Sequence, residues 1–418
     1  MLKKLLIAAT GAVFIALGVG EAANAASLSV IASGLDGPRG LTFGPDGSLY
    51  VTEAGTGGTG SCIPAPGGID VMCYGATGAV TRIQNGTQER VVTGLPSLAL
   101  FNPQIPVSFV ATGPHDIQFD SIGKAYVVLG LGSSPDQRDD VLQIPDFGQL
   151  IAIDQLNAGS SWTRLADLAA YEALYNPDDT GSSIYNPYQN GIDSNPYAFL
   201  IQEDTAYIVD AAANDLFKVK TDGSDLEAIS IFPQQPVTDP ATGETIGMQS
   251  VPTAIATGTD GELYVGEFTG YPYPDNAARI FKIGPDNQPV VYADGFTQII
   301  DIAFDNKGGL YVLELASSSL LSPDIFPTGA LIYVNPDGDR KTIASEGLFF
   351  PTALALGSDG DIYISNQGYF SGQGQVVRIS VPEPSYALSL LAFGIFFITS
   401  SRLLLKHKSS SSVKSCVE

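Results

Sequence analysis

Residues 113–130 read GPHDIQFDSIGKAYVVLG. An alternating apolar run, a turn rich in Gly and Asp, and a second run built on a tyrosine make the pattern of a β-hairpin. One hairpin decides little, but this one recurs. The same pattern reads GPRGLTFGPDGSLYVTEA from Gly37, NPYAFLIQEDTAYIVDAA from Asn195 and VPTAIATGTDGELYVGEF from Val251. It returns as QIIDIAFDNKGGLYVLEL from Gln298 and FPTALALGSDGDIYISNQ from Phe350. The second strands carry Tyr50, Tyr126, Tyr207, Tyr264, Tyr311 and Tyr363.

Behind each hairpin comes a third apolar run, such as GAVTRIQNG, GQLIAIDQL or ARIFKIGPDN, and in most units a fourth, such as QERVVTGL or PVVYADGF. Six units of four antiparallel strands predict an all-β fold, a six-bladed β-propeller. The sixth unit stops at its third strand, GQVVRISV. LSVIASGL at 28–35 matches the fourth strand of the fifth unit and is predicted to close the ring from the other end. Between units 2 and 3, Leu168, Tyr171, Glu172 and Tyr175 fall at helical spacing before Asn176-Pro177, which predicts one short helix followed by a loop rich in Asp and Tyr.

The ends speak to compartment. Lys3 and Lys4, the run LLIAATGAVFIALGVG and Ala23-Asn24-Ala25 have the layout of a secretory signal peptide over 1–25, the alternative being an uncleaved anchor. The propeller is assigned to 26–380. At 381–408, VPEP (Val381, Pro382, Glu383, Pro384) precedes an uncharged run long enough for a membrane, then Arg402, Lys406 and Lys408; a polar tail occupies 409–418. Cys62 and Cys73 lie in a Gly/Pro-rich insertion expected to have little regular structure. They are predicted to form a disulfide, since a zinc site would need further ligands nearby.

The chain holds 44 Asp and Glu against 20 Lys and Arg, a net charge of −24. Such a surface repels nucleic acid and anionic lipid and attracts divalent cations.

GPRGLTFGPDGSLYVTEAGTGG, VVTGLPSLA, ATGPHDIQF, DLAAYEALYNPD and DSNPYAFL resemble the ScyD/ScyE family, secreted propellers of which some are encoded with genes for the indole-derived pigment scytonemin. More distantly, the units resemble NHL repeats and the SMP-30/gluconolactonase propellers. The C-terminal motif, span and basic cluster resemble the PEP-CTERM sorting signal of bacterial surface proteins. That resemblance implies processing by an exosortase, transient contact with the membrane, and a periplasmic or cell-surface location. A plain single-pass anchor stays open, because the tail SSSSVKSCVE departs from the usual pattern.

Blade topology brings first-strand starts and second-strand ends to one rim. The starts include Arg39, His115-Asp116, Tyr197 and Asp301; the ends include Glu53, Asp210, Glu267, Glu314 and Asn366. Two readings compete. In one, Glu53, Asp210, Glu267, Asp301, Glu314 and Asn366 hold Ca²⁺ or another divalent cation, with His115 and Asp116 as catalytic groups beside it. In the other, the acid three residues after each Tyr bonds backbone N–H groups of its own blade. Arg39 and Tyr197 are expected to contact ligand in either case. The functional expectation is a binding module for a small molecule, glycan or protein. The alternative is a metal-dependent hydrolase or lactonase, or a factor maturing an aromatic metabolite.

Overall fold

Each of the six hairpins forms the inner strands of an antiparallel sheet, four-stranded in blades 2 to 6 and extended to six strands in blade 1. The computed structural model describes residues 27–65, 70–100, 109–157, 159–179, 191–323 and 327–380. The signal peptide, the sorting motif from Val381 to Pro384, the basic segment and the polar tail lie outside the described residues, as does part of the loop behind the helix. Among the described residues no helix is long and apolar enough to cross a membrane.

Blade 1 is Pro38–Phe43, Leu49–Glu53, Val71–Gln84 and Thr87–Leu100; blade 2 is Pro114–Phe119, Ala125–Leu129, Gln149–Ile153 and Trp162–Asp167. Blade 3 is Pro196–Gln202, Thr205–Asp210, Asp215–Lys220 and Glu227–Ile231; blade 4 is Pro252–Thr257, Leu263–Glu267, Ala278–Ile283 and Pro289–Phe296. Blade 5 is Ile299–Phe304, Leu310–Glu314, Ala330–Val334 and Arg340–Ala344. Blade 6 takes Ala353–Leu356, Ile362–Asn366 and Gly374–Ser380 from the end of the chain, and its outer strand is Ser27–Leu35, paired antiparallel to Gly374–Ser380. Successive first strands pack on one another, and that of blade 6 packs on that of blade 1, so the ring has no open seam.

Apolar side chains fill the wedges between blades. Tyr50, Val80 and Val92 of blade 1 pack with Ile117, Val127 and Ile151 of blade 2, and Leu41 and Val51 pack with Ala353, Ala355 and Val376 of blade 6. The repeated tyrosine has a second task. Its hydroxyl donates to the Asp of its own hairpin turn: Tyr50 to Asp46 at 3.1 Å, Tyr126 to Asp120 at 3.1 Å, Tyr264 to Asp260 at 3.0 Å and Tyr363 to Asp359 at 2.8 Å. The other oxygen of these carboxylates accepts a turn N–H, so one Asp fixes both the turn and the adjoining ring.

The helix forms at Leu168–Tyr175, with Asp167 accepting the N–H of Ala170 at its start and Asn176 left-handed at its end. Tyr171 meets Phe217 of blade 3 edge to face, with centroids 5.4 Å apart. The Gly/Pro-rich insertion is more regular than its composition predicts. Cys62–Pro64 pairs with the start of the long strand Val71–Gln84, which places Cys62 opposite Cys73, and the two are disulfide-bonded. Three further pieces carry no repeat signal: Phe109–Thr112, which extends the six-stranded first sheet at its outer edge; a π-helical turn, Gln137–Leu142; and a hairpin of Gln235–Thr238 with Thr245–Met248.

Candidate functional site

The acids three residues after each tyrosine are drawn into their own blades. Glu53 accepts the N–H of Asp36 at 2.7 Å, Asp210 that of Asn195 at 2.6 Å, and Glu314 that of Thr297 at 2.7 Å. Asn366 Oδ1 accepts the N–H of Phe349 at 2.9 Å, and Glu267 accepts the Ser250 hydroxyl at 2.6 Å. Every one of these donors lies in the loop that delivers the chain into the first strand of that blade. Two of these three buried glutamates are also neutralised by arginine: Glu53 by Arg90 at 2.6 Å and Glu267 by Arg279 at 2.6 Å. These residues bracket the blade entry rather than converge on an ion. Among the described residues no three His, Cys, Asp or Glu side chains gather to hold a metal. The expected ligand set of Glu53, Asp210, Glu267, Asp301, Glu314 and Asn366 is therefore not brought together.

What does converge is the layer of first-strand starts. Asp116 and Asp301 line a channel cavity of about 290 Å³ with Gly40, His115, Tyr197, Thr253 and Thr352. Each stitches its blade to the next. Asp116 accepts the N–H of Ile117 at 2.8 Å and of Phe199 in blade 3 at 3.1 Å; Asp301 accepts those of Ile302 at 2.8 Å and Leu354 in blade 6 at 2.7 Å. Burial pushes Asp116 up to about 7. Burial, then the nearby charge of Asp116, pushes Asp301 up to about 8. Glycine is required at Gly40, where a Cβ would collide with the Asp116 carboxylate.

His115 is held by both ring nitrogens. A backbone carbonyl can only accept, so Nδ1 donates to Pro196 O at 3.0 Å, and Nε2 then accepts the Thr112 hydroxyl at 3.0 Å. Burial, then the charge of Arg39, pushes its pKa down to about 3, so the ring is neutral. It lies tilted against Tyr197, centroids 4.9 Å apart.

A second cavity of about 300 Å³ opens on the far side of this layer, on the rim where first strands begin. Its walls are Met72, Val110, Val251, Phe268, Ile300 and Leu315, with Tyr197 and Tyr369 as flat faces. Arg39 is 6 % exposed and donates to the carbonyls of Gly368 and Ala111, both at 2.8 Å. No carboxylate pairs with it among the described residues, which leaves donors of its fork for an incoming acceptor. Arg39 and Tyr197, expected from their first-strand slots, both line this cavity. Asn195 and Phe268 stand at the two ends of repeat units but were not singled out, because those end slots carry different residue types from unit to unit; Tyr369 lies beyond the last unit, where the repeat does not run.

No family model matches the chain, and no curated protein matches its sequence. Similar solved structures include a gluconolactonase of Xanthomonas campestris, 10% identical, covering 85% of this chain and 90% of that one with a TM-score of 0.48. Another is the PQQ-bound aldose sugar dehydrogenase of Streptomyces coelicolor, 12% identical, covering 85% of this chain and 98% of that one with a TM-score of 0.46. A third is a calcium structure of a Trichoderma reesei carbohydrate-active enzyme of family AA12, 11% identical, covering 86% and 96% with a TM-score of 0.45.

Proposed function

We propose that this propeller is an exported binding module that takes a small molecule with a flat, apolar body and an anionic or carbonyl oxygen into the cavity at the channel mouth. The observation that carries the reading is Arg39, buried without a carboxylate partner beneath the aromatic walls of Tyr197, Tyr369 and Phe268. Mostly apolar concavity with a few convergent polar groups is what small-ligand sites share. Aromatic faces supply area and the guanidinium supplies orientation.

Against the hydrolase alternative stands His115. Both of its ring nitrogens are engaged, and neither holds a lone pair toward either cavity. The test is a thermal-shift and calorimetric panel of indole- and benzene-carboxylates against their neutral amides and parent rings. Stoichiometric binding that favours the acids, and weakens at least tenfold in Tyr369→Ala, supports the reading. Equal indifference to every compound sinks it. Export rests on the two termini. Sequencing of the mature N-terminus should find Ala26 first, and the C-terminal peptide should be cut near Pro384 in cells that hold an exosortase.

A further inference from the structure

Between the helix Leu168–Tyr175 and blade 3 lies a group of carboxylates that the channel does not use. Glu172 on the helix, Asp210 at the end of the second strand of blade 3 and Asp215 at the start of its third are at most 1 % exposed. Asp210 is fully engaged, by the Ser194 hydroxyl and the N–H groups of Asn195, Ala212 and Ala213. Asp215 is different. Neither of its oxygens accepts a hydrogen bond, and neither does Oε2 of Glu172. A buried carboxylate without a donor is among the costliest arrangements a fold can hold. The charges that act on Glu172 and Asp215 are all acidic: Asp210 and Asp178 bear on both, and Asp193 on Glu172. Burial first, then those neighbours, push Glu172 to about 10 and Asp215 to about 9.

A second observation points to what fills the space. The side-chain amide of Asn176, just past the helix, stands 3.2 Å from both Glu172 Oε1 and Asp178 Oδ1. Turned one way, the amide donates to both. Turned the other way, its oxygen stands 3.2 Å from one oxygen of each carboxylate, three acceptors side by side that a hard cation would reconcile.

We propose that Glu172, Asp215, Asp178 and the amide oxygen of Asn176 form a calcium site, with Asp210 and Asp193 adding negative charge around it. All donors are oxygens, which suits Ca²⁺ and disfavours zinc or copper; Ca²⁺ also tolerates irregular shells that Mg²⁺ does not. No three acidic side chains already surround one point among the described residues. Asp215 and Oε2 of Glu172, free of hydrogen bonds, are the groups that turn inward to complete the shell. The ligands come from the helix, the loop behind it and blade 3, so the ion clamps the insertion to the ring.

The experiment is calorimetric titration of the purified protein with CaCl₂ in ~0.15 M NaCl, which screens diffuse attraction to the acidic surface. One saturable equivalent is expected with a Kd of about 10⁻⁴–10⁻³ M or tighter, as in extracellular calcium modules. EDTA should lower the melting temperature. Asp215→Asn should bind at least ~10-fold more weakly, since ligand charge sets affinity. In EDTA that variant should melt at or above the wild type, which shows that the fold survives the loss of an unneutralised charge. Glu314→Gln, in the channel rim, should bind as the wild type does. The proposal is overturned by the absence of a saturable equivalent, by many weak salt-sensitive ones, by undiminished binding in Asp215→Asn, or by loss of binding in Glu314→Gln.

Discussion

Replacement of Glu267 by Ala separates a blade bracket from a metal ligand. Glu267 is fully buried and accepts five hydrogen bonds: from Ser250 Oγ at 2.6 Å, Gln235 Nε2 at 3.0 Å, and Arg279 N, Nε and Nη2 at 3.0, 2.6 and 2.9 Å. Its removal leaves the Arg279 side chain, 14 % exposed, without a counter-ion and the Ser250 hydroxyl without an acceptor. Breaking one side of a buried pair costs about 3–5 kcal/mol. With an unfolding entropy of about 2.1 cal/mol/K per residue, a propeller of roughly 350 residues would melt about 4–7 °C lower. Glu314 makes one backbone hydrogen bond in the equivalent place, so Glu314→Gln should cost only about 1 kcal/mol. The assay is urea and thermal unfolding of both variants, with and without EDTA. If Glu267 is a bracket, E267A loses stability equally in both buffers and keeps the chelator response of the wild type. If E267A is as stable as the wild type, or if its chelator response vanishes, the bracket reading is refuted.

Other consequences follow from single contacts. His115 titrates near 3 folded and near 6.5 unfolded, so the unfolded chain binds the extra proton: stability is whole above pH 6.5 and falls as pH drops toward 3. In His115→Phe that component of the acid slope should be missing from urea-unfolding free energies measured at pH 4, 5 and 7. Reduction of Cys62–Cys73, or Cys73→Ser, removes a crosslink across 11 residues and should cost up to about 3 kcal/mol, with new proteolysis confined near residues 54–74. Tyr363→Phe deletes the 2.8 Å bond to Asp359 and should cost about 1 kcal/mol, read as a shift in the urea midpoint without a change in slope. Deletion of residues 27–35 exposes the edge of Gly374–Ser380 and should give aggregated protein, measured as loss of the monomer peak in gel filtration.

The ring was legible because its units are forced to agree. The hairpin turn needs Asp and Gly, the second strand needs its Tyr, and the surplus strand at 28–35 matches the deficit after Ser380. The Leu168–Tyr175 helix was legible from its spacing and its Asp and Asn ends. Periodicity says nothing of direction, however. Glu53 and Glu267 share a slot whose rim position suggested an ion, while their real partners, Arg90 and Arg279, sit on the fourth strand of blade 1 and the third strand of blade 4, where the repeat pattern does not point to them. His115, placed at a rim by blade topology and offered as a catalytic group, is packed between Thr112 and Pro196. Tyr369 escaped notice because it lies in a loop beyond the repeat, and Phe268 because the last slot of the unit holds a different residue type in each blade.

The direct test of the binding reading is ¹⁹F NMR of protein labelled with fluorotyrosine, titrated with an indole carboxylate. Among the described tyrosines, only Tyr197 and Tyr369 line the channel-mouth cavity. Binding there should move those two resonances, assigned by Tyr→Phe variants, and leave the turn-bound Tyr50, Tyr126, Tyr264 and Tyr363 in place. Shifts confined to other tyrosines, or none at saturating ligand, would contradict it.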